Sequence, residues 1–298
     1  MSTNIVRKHH SRREKGDICV SSVVHVILII FCLMCVYPFW YVVVASFNDG
    51  YDMMRGGVYF WPRVFTLGNY TSFFSQSNWL DAIKVSVMRT LVGTLLSTLF
   101  TCMVSYSLSR RNLVHGNAYR FLFIFCMYVS GGLIPFYLVL RFLGMINTFW
   151  VYVIPTMLNL FFVMIGMNFF RSIPDALIES AYLDGASDNR IFISIVLPLS
   201  TAYIATLALF SAVNQWNSWL DSVYYVSNKR LRPMAYWMIS MINSTRSTTS
   251  QDVSAAVNLT ALTSQATAVV ATVLPIMVVY PFLQKYFVQG MMIGSVKE

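Results

Sequence analysis

Three carboxylates fall within ten residues of one short stretch, IPDALIESAYLDGASDNRIFISIVLPLS (173–200): Asp175, Glu179 and Asp184. No base stands beside them to complete an acid–base pair. Such a set suits a partner carrying basic residues better than a hydrolytic site. Elsewhere Cys32 and Cys35 have CxxC spacing, but no second pair and no nearby His completes a metal site. In an apolar run, thiols of this kind serve packing, so no metal is expected. The chain also lacks a GxxxxGK[ST] phosphate loop and cannot hydrolyse ATP by that route.

The acidic stretch carries helix signals. Ser172 can cap, Pro174 suits the first helical position, and Asp175 sits where the helix dipole favours negative charge. The residues ALIESAYLD supply about three turns, and Gly185 stands where a left-handed terminating residue is wanted. Ser187 can cap a second short helix that leads into an apolar run containing Pro198. Three/four spacing places Leu177, Ser180, Ala181 and Asp184 on one face, with Glu179 and Tyr182 on another. Helices that rest on lipid favour Lys and Arg, whereas this one is acidic, so a protein partner fits better.

The elements around it are spans. Of 298 residues, 57% are hydrophobic and only 11% charged, against about 25% charged in an ordinary soluble domain. No Asp, Glu, Lys or Arg occurs in 18–48, 90–109, 121–140, 142–170, 191–220 or 253–284. About 20 apolar residues cross the hydrocarbon core as a helix, and each run reaches that length. The runs are continuous rather than alternating, which excludes outer-membrane strands, and they lack the polar faces of soluble helices. The expected fold is therefore an all-α integral membrane protein. Six transmembrane helices are expected at about 20–46, 84–109, 119–141, 149–170, 192–219 and 264–286. They form one transmembrane domain, 18–298, behind a basic tail, 1–17.

The net charge is +9. Arg7, Lys8, Arg12, Arg13 and Lys15 precede the first span, and Arg110, Arg111 and Arg120 follow the second. These short basic segments place both termini and the 171–198 loop in the cytoplasm. The tail is explained by orientation rather than by nucleic acid, and the long first run is no cleavable signal peptide. The first outer loop, 49–81, is rich in aromatics that suit the headgroup layer. The third, 221–263, is long enough to fold over something. In the second span Gly93, Ser97, Thr101, Ser105 and Ser109 form a stripe of small side chains that admits close helix packing. With Lys84 and Arg89 placed at the outer mouth, no span has a charge in its middle. That argues against an ion-coupled carrier.

At this point a resemblance is visible. Glu179-Ser180-Ala181, three residues, Gly185, nine residues, then Ile195-Val196-Leu197-Pro198 resembles the EAA loop of permease subunits in bacterial ABC importers. Ser180 replaces the first Ala of that pattern. SGGLIPFYLVLRFLGMINTFW (130–150), NQWNSWLDSVYY (214–225) and YPFLQKYFVQGMMIGSVK (280–297) are similar to the carbohydrate-importer class, in its lipoprotein-permease-like oligosaccharide branch. The resemblance covers the chain from the first span onward. It implies a type I importer permease fold in the bacterial inner membrane, with a cytoplasmic coupling helix in the EAA loop, 171–198.

On that resemblance Glu179, Ser180, Ala181, Asp184 and Gly185 belong to the ATPase-coupling segment, Glu179 pairing with a basic residue of the ATPase. Leu197 and Pro198 join it to the fifth span. The implied partners are a second, non-identical permease, two ATPase subunits, an extracytoplasmic solute-binding protein and the bilayer. ATP and Mg are used by the ATPases, and this chain binds no cofactor directly and is not itself an enzyme.

Sugars bind to amides and aromatic faces, because hydroxyls need paired donors and acceptors and the C–H face needs an apolar platform. Asn159, Asn214, Gln215, Trp216 and Asn217 are the candidates for a substrate path; helix-gluing amides are the competing role. Import of amino acids or peptides, a stand-alone secondary carrier, and a sensor or assembly factor tethered by the acidic helix are the alternatives.

Overall fold

The computed structural model describes residues 15–75, 79–248 and 262–278. Of the basic tail, residues 1–14 therefore lie outside the described part, as do 279–286 of the expected sixth span and the 280–297 stretch. Helix α1 (Lys15–Phe47) keeps its large apolar side chains from Val20 to Phe39 exposed. A helix apolar on all sides belongs in hydrocarbon or against other apolar helices. The first loop folds back on its end through short helices α2 (Gly50–Met54) and α3 (Gly68–Ser75). Buried Asn48 accepts from the Val64 amide at 3.1 Å and donates to Asp52 at 3.1 Å, while Asn69 donates to the Ser46 and Asn48 carbonyls. Tyr51, Phe60 and Trp61 remain exposed, as headgroup-facing aromatics would.

The centre of the molecule is α4 (Trp79–Ser109). Its 31 residues make a rod about 46 Å long, well beyond the roughly 30 Å hydrocarbon core. Helices α7 (Leu160–Arg171) and α11 (Thr201–Asn217) pack along it. The small stripe is the seam: Gly93, Ser97, Thr101, Ser105 and Ser109 are all buried. Thr101 Oγ1 accepts from the Asn159 amide at 3.2 Å, Ser97 meets Ser211 at 3.4 Å, and Ser105 meets Tyr203 at 3.5 Å. Gly166 on α7 completes the crossing. A β-carbon there would lie 2.3 Å from the Tyr203 hydroxyl and 2.7 Å from Ser105 Oγ, inside any allowed contact. Gly166→Ala should therefore cost about 1–3 kcal/mol through forced side-chain shifts. A lower unfolding temperature of the purified chain in detergent is the expected readout, and an unchanged one would show that the crossing can relax.

Three of the expected spans are broken. The run 119–141 divides into α5 (Gly116–Tyr128) and α6 (Leu133–Phe142), whose axes differ by 114°. Gly132 there has φ +86°, a backbone that L side chains disfavour, and Pro135 lies in the first turn of the new helix. The run 149–170 begins as two 3₁₀ turns, Phe149–Tyr152 and Ile154–Thr156, bent 42° from α7. The run 192–219 turns by 84° at Ser200, just after Pro198, which removes one helical donor and crowds the carbonyl four residues back. By length and composition the described residues hold two straight candidate spans, or up to five with the bent pairs counted. A further apolar helix covers Leu262–Val278.

Candidate functional site

The acidic stretch forms α8 (Asp175–Leu183). Pro174, in an extended conformation, is its N-cap, and Ser172 instead ends α7, its hydroxyl bonded to the Phe169 carbonyl at 2.6 Å. The capping role expected of Ser172 thus goes to the preceding helix, because two residues separate it from the first turn of α8. At the other end Gly185 has φ +76°. Its N–H donates to the Tyr182 carbonyl and the Ala186 N–H to the Ala181 carbonyl, both at 2.9 Å. That is the paired closure of a Schellman end. Ser187 precedes the next turn, α9 (Asp188–Ile191), without a side-chain cap bond.

Burial sets the faces of α8. Ile178 and Ala181 are buried, in a cluster with Tyr106, Phe170 and Phe192. Ala181, grouped with Leu177, Ser180 and Asp184 from spacing, instead seats the helix on the bundle, its small side chain allowing close approach. Leu177, Glu179, Ser180, Leu183 and Asp184 are exposed, Leu183 at 90%. That outward surface sets two leucines beside the carboxylates Glu179 and Asp184.

Polar ties fix the helix laterally. Arg110, just past the end of α4, donates to the Tyr182 hydroxyl at 2.9 Å, and that hydroxyl donates to Asp188. The Asp188 hydrogen bond pushes the Tyr182 phenol above its ordinary pKa. The Arg110 guanidinium lies 5.5 Å from the Tyr106 ring centroid and 5.7 Å from that of Tyr182. Arg111 sits 3.7 Å from Asp175; being exposed, that pair contributes less than about 1 kcal/mol. Between these groups lies a cavity of about 330 Å³, lined in part by Arg171 and Glu179. Beyond α9 the backbone widens into a π turn, Phe192–Val196, followed by the turn Leu197–Leu199 (α10). Leu197 and Pro198 thus stand where the α8 segment meets α11.

The five amide and aromatic candidates separate. The Asn159 side-chain Oδ1 caps α7, accepting from the Phe162 amide at 3.2 Å. Trp216 is buried and donates to the Thr272 carbonyl at 3.1 Å. Gln215 is buried, its amide bonded to Thr156 Oγ1 at 2.7 Å. Asn214 and Asn217 are exposed on α11, so these two present polar surface.

Gln215 leads to a group that spacing alone places at the outer mouth. Arg89 is 0% exposed within α4. With the helix centred in the bilayer it lies about 7 Å inside the hydrocarbon boundary. Its guanidinium donates to Gln215 Oε1 at 3.2 and 3.3 Å, to the Ser218 carbonyl at 3.1 Å and to Asp221 at 2.5 Å. It also lies 4.3 Å from the centroid of the Tyr152 ring. A span does, then, carry a charge, paired with a carboxylate just past the end of α11. The sequence holds a signal for it: an Arg inside an apolar helix must find a partner, and Asp221 closes the motif NSWLD.

The straight and broken spans among the described residues are those of a helical membrane protein. Residues 97–293 match the family described as "Binding-protein-dependent transport system inner membrane component", and the chain belongs to that family. It is 36% identical to the polygalacturonan/rhamnogalacturonan transport system permease protein YtcP of Bacillus subtilis (strain 168), over 91% of this chain and 95% of that one. It is 38% identical to protein LplC of the same organism, over 88% and 89%. A crystal structure of a bacterial ABC transporter involved in import of the acidic polysaccharide alginate contains a chain of the same fold. That match has a TM-score of 0.81 at 24% identity and covers 92% of this chain and 98% of that one. The fold is that of a type I ABC importer permease.

Proposed function

We propose that the chain is the membrane-spanning permease subunit of an ATP-driven importer for a sugar or oligosaccharide, forming half of the translocation path. The observation that carries this is α8. It is a short, capped, acidic helix seated by Ile178 and Ala181 and tied to α4 and α9, with an outward face left exposed among the described residues. An ATPase that grips this face would move α4, α7 and α11 through those ties. The relatives named for polysaccharides favour a carbohydrate over amino acids or peptides. A stand-alone carrier would have no use for such a docking face.

In this reading six spans cross the inner membrane, both termini and α8 face the cytoplasm, and the opposite end of α4 faces outward. A second, similar permease completes the path, two ATPase subunits bind ATP and Mg, and an extracytoplasmic solute-binding protein delivers the sugar. Glu179, Ser180, Asp184 and Gly185 form the gripped segment, Ala181 its inner seat, and Leu197 and Pro198 its link to α11. Asn214 and Asn217, with exposed amides, are the strongest substrate-path candidates. Gln215, Trp216 and Asn159 hold the wall behind them.

Gentle detergent purification of the tagged chain is the test. An ATPase should co-purify, and its hydrolysis should rise when a sugar-loaded solute-binding protein is added. Purification of the chain alone, competent for transport in liposomes without ATP, would overturn the assignment.

A further inference from the structure

At the end of α4 far from α8, residues 226–232 form a turn built more firmly than a connection requires. Asn147, itself left-handed at φ +62°, accepts from the Ser227 and Asn228 amides at 3.1 and 2.8 Å and donates its own backbone amide to the Tyr225 carbonyl at 2.8 Å. Asn228 Oδ1 accepts from the Arg230 amide at 3.1 Å, starting the 3₁₀ turn Lys229–Leu231. Tyr152 donates its hydroxyl to the Leu231 carbonyl at 2.9 Å. Arg232 turns back, donating to the Val226 carbonyl at 3.3 and 3.4 Å with its guanidinium 4.2 Å from the Tyr236 ring centroid. The Met234 amide donates to Ser86 on α4 at 2.8 Å. Segments from four places in the chain thus fix one short turn.

What the turn presents is charge. Ser227, Asn228, Lys229 and Arg230 are exposed, and among the described residues neither Lys229 nor Arg230 has a carboxylate partner. Asp221, the acid nearest in sequence, is taken by Arg89. Ser86 and Tyr106 are separated by about 30 Å of helix, so this tip faces away from α8, on the outer side in the reading above. Unpaired cations beside the outer leaflet run against the orientation bias of membrane chains. A preset turn loses little freedom on binding, and its charges steer a complementary surface and fix its register.

We propose that Lys229 and Arg230 are a docking point for an acidic patch on the extracytoplasmic solute-binding protein, a proposal that rests on the importer reading above. The test uses the assembled importer in lipid nanodiscs and its cognate solute-binding protein, saturated with sugar. ATPase rate is measured against the concentration of that protein. Lys229→Glu with Arg230→Glu should raise the half-stimulating concentration about tenfold at low salt. The gap should narrow at high salt, where exposed charges are screened, with basal hydrolysis unchanged. Asn147→Ala should shift the curve in the same direction by loosening the turn. Lys229→Gln with Arg230→Gln, which adds no repulsion, guards against a folding artefact and should shift it less. An unmoved curve for the Glu and Gln pairs overturns the proposal while leaving the importer reading intact. So does a change confined to the dependence on sugar concentration, which would assign the tip to an acidic substrate. A wild-type importer that no solute-binding protein stimulates removes the importer reading, and this proposal with it.

Discussion

Arg89→Ala is expected to destabilise the folded chain by about 3–5 kcal/mol, the cost of stranding a partner charge in a buried site. The loss is large because several contacts end together. Asp221, only 17% exposed at its side chain, loses its ion-pair partner. Gln215 Oε1 and the Ser218 carbonyl lose their donors, and the Tyr152 ring loses the cation on its face. Asp221 also accepts from the Ser222 amide at 2.8 Å, at the start of α12 (Leu220–Tyr225), so the α11–α12 corner loosens as well. The measurable result is a fall of roughly 10 °C in the unfolding midpoint of the purified chain. Asp221→Ala should do comparable damage by stranding the guanidinium. Arg89→Met with Asp221→Leu removes both charges and should recover most of the loss, since buried pairs are often replaceable by apolar side chains. Arg89→Ala with wild-type stability would show that the cluster holds nothing together.

The same cluster shows where sequence reading stops. Uncharged runs locate the spans because bilayer thickness acts on every one of them, and the small stripe of α4 locates the seam because close packing needs small residues at fixed spacing. Arg89 is paired across 132 residues of chain: an Arg in an apolar helix signals that a partner is needed, but no local pattern says which acid supplies it. A second span starting at residue 84 puts Arg89 at the outer mouth; beginning at Trp79 instead, the helix carries it inside. The breaks are partly legible. Gly131-Gly132 and Pro198 are visible as helix-weakening residues, but whether a span bends or absorbs them depends on neighbouring helices. Around α8 the spacing locates Gly185 and the helix, while the buried face follows Ile178 and Ala181 rather than the polar pattern. Two exposed leucines, Leu177 and Leu183, hide that distinction.

Gly185→Asp and Glu179→Lys should each reduce uptake to background while the chain still inserts in the membrane, and they should do so by different physics. At Gly185 there is space for a side chain, with nothing within 4 Å of an added β-carbon, but φ is +76°. An L side chain there costs about 1–2 kcal/mol. The strain is relieved by giving up the bonds from the Gly185 and Ala186 amides. Ser187 and Asp188 then shift, and Asp188 no longer holds the Tyr182 hydroxyl to which Arg110 donates. The tip of α8 moves off its seat, and motion imposed on it stops reaching α4. Glu179 is exposed, so Glu179→Lys should change stability by less than about 0.5 kcal/mol. Its effect arises at the face proposed to dock the ATPase, where a cation would meet the basic residue expected of that subunit, a juxtaposition that costs several kcal/mol. Tyr182→Phe separates the two routes: it removes the hydroxyl that joins Arg110 to Asp188 but leaves the outward face unchanged. Such a chain should retain its ATPase while transport per ATP hydrolysed falls. Purified complexes, assayed for subunit content, ATP hydrolysis and uptake, distinguish the three variants. Wild-type uptake by both Gly185→Asp and Glu179→Lys would mean that force enters the bundle somewhere other than α8.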